Sequence, residues 1–192
     1  MLRIDALNAI YPLLKDRIVV TNMGAAAVEL YSLGHRKSFF YMEHAMGLAS
    51  SVGLGLALCL PKQRIVVVDG DGSVLMNLGT LSTLARYRPP NLVHLIFDNE
   101  SLLSVGGFPT ATSTGTDLEA VAKGAGIERT ATVCEVEELE GVFSEAMAGE
   151  ELSAIVAKVD AVGPASFAMD VGLLENRFEF ARHIKELQGA EV

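Results

Sequence analysis

The stretch Asp69-Gly70-Asp71-Gly72-Ser73 closes a β-branched run, Ile65-Val66-Val67-Val68. In an open parallel sheet, ligands bind beyond the carboxyl ends of the strands, and this stretch lies at such an end just ahead of a helical pattern. Glycines let the backbone approach an anion, and the first amides of a helix add donors and the positive end of its dipole. Two carboxylates beside an anion would repel it unless a cation lies between them. Mg²⁺ supplies that cation, because it takes hard oxygen ligands and is held by one or two carboxylates together with substrate phosphates. Asp71 is therefore expected to be a metal ligand rather than a general base. The next apolar run ends in Asp98-Asn99, which brings a second oxygen ligand to the same crevice if the two strands are neighbours.

The elements that must position these residues follow from the apolar pattern. Runs at 18–21, 38–42, 65–69, 92–97, 129–133 and 153–159 alternate with helical patterns, the signature of an α/β fold with a doubly wound, mostly parallel sheet and helices on both faces. The runs 65–68 and 92–97 are almost continuously apolar and are assigned to the sheet centre. Leu75, Leu78, Leu81, Leu84 and Ala85 fall at helical spacing, and Pro89-Pro90 ends that helix. Residues 98–116 have no regular pattern, and a loop of that length is usually functional. The expected organisation is a phosphate-binding domain over 1–163, then a linker and C-terminal helix over 164–192.

Composition narrows the partners. The 192 residues carry 15 Lys and Arg against 24 Asp and Glu, a formal charge of −9. The longest basic run is His35-Arg36-Lys37, which argues against nucleic acid. Cys59 and Cys134 lie far apart without CxxC spacing, so neither a disulfide framework nor a zinc site is indicated, and a cytoplasmic location suits them. Asp5 interrupts the first apolar stretch, which reads as an amphipathic helix rather than a leader. The apolar stretch 46–61 falls short of bilayer length, so no membrane span is expected.

The segment "GDGSVLMNLGTLSTLARYRPPNLVHLIFDN" resembles the thiamine diphosphate signature, which starts with GDG and closes with two asparagines after the following strand. With "FYMEHAMGLASSVGLGLAL" (40–58) and "GGFPTATS" (106–113), the chain resembles thiamine diphosphate-dependent 2-oxoacid decarboxylases. The likeness is to the β subunits of sulfopyruvate decarboxylase and to phosphonopyruvate decarboxylase, over roughly residues 18 to 160. Asn99 stands about one residue further from Asp71 than is commonest in the family, and the extra residue is placed in the Arg88-Pro89-Pro90 turn. Asp98 replaces the first asparagine.

The resemblance implies that Asp71, the Asn99 side chain and the Ser101 main-chain carbonyl hold Mg²⁺. Gly70, Gly72 and Ser73 belong to the phosphate-binding loop, in which Gly72 and Ser73 contact the phosphates. Met46 matches the apolar residue that wedges between the two cofactor rings and bends the cofactor, bringing its 4′-imino group next to the thiazolium C2. His44 occupies a position usually held by Gly; its carbonyl would accept from the aminopyrimidine, and its imidazole is suited to proton transfer in the substrate pocket or to a plain interface role. Phe108 stands where relatives commonly carry Gln.

These features imply a β subunit that decarboxylates a small acidic 2-oxoacid such as 3-sulfopyruvate. The alternatives are phosphonopyruvate decarboxylation, an acetolactate-synthase-like carboligase, and a non-catalytic phosphate- or nucleotide-binding regulatory module. In this superfamily the activating glutamate comes from a separate pyrimidine-binding domain, for which 192 residues leave no room. Glu29 and Glu43 are better explained by a helix face and a strand end. An obligate α chain is therefore expected, with the apolar segment 45–58 or its surroundings at the interface, and a homo-oligomer when the chain is isolated. The 98–116 loop and the terminal helix are expected to exclude water from the site.

Overall fold

The apolar runs carry side chains suited to both faces of a pleat, and they assemble as one buried sheet. The computed structural model describes residues 1–22 and 24–190. Its strands are β1 (Ile18–Thr21), β2 (Phe39–Tyr41), β3 (Ile65–Gly70), β4 (Leu92–Asp98), the two-residue β5 (Ser101–Leu102) and β6 (Phe108–Pro109), β7 (Arg129–Val133) and β8 (Ser153–Lys158). Six of them form a wholly parallel sheet in the order β2-β1-β3-β4-β8-β7, while β5 and β6 pair as a separate antiparallel hairpin. The continuous apolar runs of β3 and β4 do occupy the centre.

The helices are α1 (Arg3–Leu14), α2 (Ala25–Ser32), α3 (Ala49–Cys59), α4 (Asp71–Met76), α5 (Gly79–Tyr87), α6 (Leu118–Gly124), α7 (Val136–Ala148) and α8 (Leu173–Ala190). Val66 and Val68 of β3 pack with Leu7, Leu30 and Phe143, so α1, α2 and α7 cover one face. Ile65 and Val67 pack with Leu54, Leu81, Leu118 and Phe180, so α3, α5, α6 and α8 cover the other. Helix α3 comes very close to the sheet: a Cβ on Gly53 would stand 2.2 Å from Val67 Cγ2.

This winding creates the site. Strand β1 lies between β2 and β3, so the chain reverses direction across the sheet there. Helix α2 leaves β1 toward one face and α4 leaves β3 toward the other, which opens a crevice at their carboxyl ends.

Three details differ from the sequence pattern. The helix expected through Leu75–Ala85 is broken between α4 and α5 at Asn77, whose Nδ2 leaves the helical path to donate to the Gly47 carbonyl (2.9 Å). The patternless 98–116 segment contains the β5/β6 hairpin and two short 3₁₀ turns. The terminal helix, expected over the site, lies instead on the β2 edge, and it is the linker before it that reaches the crevice.

That edge is closed by a single side chain. Asn176, 1% exposed, accepts from the Tyr41 N–H (3.1 Å) and donates to the Phe39 carbonyl (2.7 Å), imitating a seventh strand on the last one of the sheet. Phe180 stacks on Phe40 at 5.0 Å, and Glu179 and Glu186 take up His35 (2.9 Å) and Lys37 (3.0 Å). The basic run is thus engaged by α8. Asn176→Leu would strip two backbone groups of their partner, and each buried unsatisfied group costs about 1–3 kcal/mol. Urea unfolding of this variant is expected to show a loss of about 2–4 kcal/mol at unchanged m; a loss within experimental error would mean that the edge is satisfied in another way.

Candidate functional site

A cavity of about 280 Å³ occupies the crevice between the carboxyl ends of β1, β3 and β4. Met46, Gly70, Asp71, Gly72, Ser73, Asn99 and Ser101, scattered over three loops in the sequence, all line it. His44 does not. Its backbone takes φ +55°, the left-handed region that glycine occupies most easily, and its side chain is exposed. That geometry explains why glycine suits the position, and it leaves the imidazole outside the cavity.

Asp71 is the first residue of α4 and is 3% exposed. Its Oδ2 accepts from Thr110 Oγ1 (2.5 Å) and lies 3.2 Å from Thr112 Oγ1, both from the returning arm of the hairpin. Among the described residues no cation lies within ion-pair distance of it. Burial pushes its carboxyl above the ordinary value and the neighbouring Asp98 adds to the push, while bonds from Thr110, Thr112 and the Gly72 amide oppose it.

Beside it, Asp69 is fully buried, accepting from the Gly70 N–H (3.0 Å) and facing His94 Nε2 (3.4 Å). The exit of β4 is a tight turn. Glu100 has φ +59°, its N–H donates to Asp98 Oδ1 (3.1 Å), and the Ser101 N–H donates to Asn99 Oδ1 (3.0 Å). This turn brings the Asn99 side chain and Ser101 to the same wall of the cavity.

The residues fit a Mg²⁺ diphosphate. The donors are hard oxygens: the Asp71 carboxylate, the Asn99 amide oxygen with a lone pair to spare, and the Ser101 carbonyl. A Cβ on Gly72 would stand 2.4 Å from Leu102, so the glycine lets the hairpin close on the loop. Asn22 Oδ1, at the end of β1, is a buried acceptor without a partner among the described residues, of the kind that a cation's water shell satisfies.

Ser73 Oγ accepts from the Gly47 N–H (2.9 Å) and so keeps its own proton for an anion. With Asn77 bonded to the Gly47 carbonyl, both backbone groups of Gly47 are held, and Met46 beside it is fixed at the cavity wall. Gly47 itself has φ +81°, and a Cβ there would meet Asn77 Cβ at 3.1 Å.

Sequence reasoning missed several of these residues. Asn22 and Arg3 line the cavity, Asn77 holds Gly47, and Thr110, Thr112 and Lys158 surround the two aspartates. The threonine pair alone left a signal, as two hydroxyls two residues apart just after the Gly106-Gly107 turn. Arg3 and Lys158 lie at distant ends of the chain and gave none.

Two outcomes test this geometry. A carboxyl raised above its unfolded value binds protons more readily in the fold, so its ionised form costs stability once pH rises through that window. Asp71→Asn is therefore expected to raise the melting temperature of the cofactor-free protein at neutral pH while abolishing Mg²⁺-dependent diphosphate binding; a lower melting temperature would show that the carboxylate stabilises the fold. Asn77→Ala should release Gly47 and misplace Met46, lowering kcat by about tenfold or more while the cofactor Kd moves less than about threefold. Equal losses of both would assign Asn77 to binding alone.

Comparison with known proteins bears on the family and the fold. Residues 20–157 match the family described as thiamine pyrophosphate enzyme, C-terminal TPP binding domain. Sulfopyruvate decarboxylase subunit beta of Methanocaldococcus jannaschii is 39% identical over 184 residues, covering 95% of this chain and 97% of that protein. Phosphonopyruvate decarboxylase of Streptomyces viridochromogenes is 45% identical over 134 residues, which are 70% of this chain and 33% of that protein. The crystal structure of benzoylformate decarboxylase from Polynucleobacter necessarius shares the fold, with a TM-score of 0.69 at 18% identity over 83% of this chain and 33% of that one. A family match over residues 20–157, with a 39% identical relative that covers nearly the whole chain, shows that this protein belongs to the thiamine pyrophosphate enzymes, as their C-terminal TPP binding domain.

Proposed function

We propose that the chain is the β subunit of a thiamine diphosphate- and Mg²⁺-dependent decarboxylase that converts 3-sulfopyruvate to sulfoacetaldehyde and CO₂. Residues 1–163 form the diphosphate-binding domain, and 164–192 the linker and C-terminal helix. The observation that carries this reading is the convergence of Asp71, Asn99 and Ser101 on one cavity, in a chain matched along nearly its whole length by a protein named as such a β subunit. The bound cofactor would supply an electron sink for the departing carboxylate.

The chain's own residues bind and orient. Asp71, the Asn99 amide oxygen and the Ser101 carbonyl would hold the cation, Gly72 and Ser73 the phosphates, and Met46 the bend between the rings. Leu102, Leu103, Phe97 and Phe167 add apolar wall to the cavity, which favours loss of a carboxylate by keeping water away. Phe167 belongs to the linker, so the linker rather than α8 takes the shielding role.

Among the described residues no acid is placed to activate the cofactor. Asp69 and Asp71 are the acids of the cavity, and both are engaged. Glu29 is buried in a two-point pair with Arg3 (2.7 and 3.1 Å), and Glu43 is exposed. A pyrimidine-binding α subunit would supply the glutamate. Exposed Leu48 and Met76 flank the Met46–Gly47 turn, and Val105 and Phe108 crown the hairpin, an apolar rim that such a subunit would cover. Among the described residues no helix is long and apolar enough to cross a membrane, and the two exposed free thiols suit a reducing cytoplasm.

Phosphonopyruvate is the alternative substrate, favoured by the higher identity over the matched segment and by a pocket requirement of the same kind, a few donors for a tetrahedral anion. The assay is CO₂ release from 3-sulfopyruvate and 3-phosphonopyruvate by the chain with and without its α partner, in Mg²⁺ and thiamine diphosphate. Turnover of sulfopyruvate is expected only with the partner. Equal turnover by the chain alone would overturn the two-subunit reading, and binding of ATP in place of thiamine diphosphate would make the chain a regulatory module.

A further inference from the structure

The hairpin over the cavity stands on two feet, and both are tied to a lysine outside it. The outgoing foot is Asp98-Asn99-Glu100 at the end of β4, and the returning foot is Thr110 to Thr112. Lys158, at the end of the neighbouring β8, donates to Asp98 Oδ2 (2.7 Å) and to Glu100 Oε1 (3.1 Å). The other oxygen of Asp98 accepts from Thr112 Oγ1 (2.8 Å). Thr112 and Thr110 lie 2.8 Å apart, and both reach Oδ2 of Asp71. The Thr110 N–H closes the base by donating to the Glu100 carbonyl (3.0 Å). An unbroken chain of contacts thus runs from Lys158 through Asp98 and the threonines to the carboxylate at the centre of the site.

The charges explain the arrangement. Asp98 is 2% exposed, and Asp71 and Glu100 are its acidic neighbours. A carboxylate so desolvated is strongly disfavoured unless a cation compensates it. Lys158 is that cation, half-buried alongside it. A neutral amide at position 98 would need no such partner. In return, a charged acceptor holds the Thr112 hydroxyl more firmly than an amide oxygen would.

We propose that Lys158 is a positioning residue that, by neutralising Asp98, seats the 101–112 hairpin on Asp71. Thr110 donates to Oδ2 while Thr112, its one proton given to Asp98, faces the same oxygen, so the seated hairpin fixes the rotation of the Asp71 carboxylate and leaves Oδ1 without a bond from the hairpin. The same closure sets Ser101 and Leu102 at the cavity wall. Lys158 touches neither cavity nor substrate in this arrangement; it acts through Asp98. This inference rests on the reading of Asp71 as the cation anchor for its functional consequence, but not for the clamp itself.

The test is a cycle of full-length variants, Asp98→Asn, Lys158→Met, the double variant and Lys158→Arg, with two readouts. The first is hydrogen exchange without cofactor at the Thr110, Ser113 and Thr116 amides, each of which donates a backbone hydrogen bond in this segment. The second is Mg²⁺-thiamine diphosphate affinity by calorimetry. Lys158→Met is expected to speed exchange at these amides and weaken the cofactor, each by about tenfold or more, because it strands a buried charge. The double variant should recover to within about threefold of the parent, since the amide at 98 needs no cation and can still accept from Thr112. Lys158→Arg should retain the parent's exchange. Unchanged exchange in Lys158→Met, or additive losses in the double variant, would overturn the clamp. If the parent binds no thiamine diphosphate, the functional reading fails while the exchange arm still decides the clamp.

Discussion

At the carboxyl end of β3 the fold holds the Asp71 carboxylate almost fully out of water, with hydroxyls and amides around it and no cation among the described residues. Such a group is a standing cost to the folded state, because desolvation disfavours its charge and the nearby Asp98 adds repulsion. The surrounding groups tolerate that charge and, on the function proposed above, ready it for a cation. The threonines orient it, the Gly72 amide faces it, and the turn after β4 brings two more oxygens to the same wall.

The sheet makes that carboxylate possible. Only where the strand order reverses do α2 and α4 leave neighbouring strands on opposite faces, exposing strand ends and helix starts together. Burial of β3 and β4 on both faces makes their ends rigid, so that Asp71 and Asn99 keep a fixed relation although they come from different loops. The Met46 turn is brought in from a third loop and pinned through Gly47 to Ser73 and Asn77. The loop proposed to anchor the diphosphate and the residue proposed to bend the rings are therefore one mechanical unit, joined across α4.

The periphery shows how neighbouring charges are managed. Arg3 and Glu29 neutralise each other on one wall, with the Val162 carbonyl taking a further guanidinium hydrogen at 3.1 Å. Burial disfavours charge on Lys158, yet Asp98 and Glu100 more than offset this and raise its ammonium above the ordinary value. Asn176 shows the same economy without charge, closing a sheet edge that would otherwise invite pairing with another chain. Each of these contacts joins residues far apart in the chain.

The fold was legible because burial leaves a local mark. Continuous β-branched runs identified β3 and β4 as central, and their strand ends identified Asp71 and Asn99, since glycine, carboxylate and helix start lie within a few residues of each other. Met46, with no chemistry of its own to betray it, was found only through the resemblance of its surroundings. Local pattern could not show where α8 would dock, because an amphipathic helix specifies a face and not its partner; the Asn176 amide and the Phe40–Phe180 stack settle it on β2. Nor could it show that His44 would turn outward, that Asn77 would break a helix to hold Gly47, or that Lys158 would answer Asp98 across a strand. The sequence by itself determined which residues could bind a cation and a phosphate, because those demands fall on neighbouring residues. The tertiary structure alone decided how they are held, because hydrogen bonds and charge compensation between distant segments depend on which strands lie side by side.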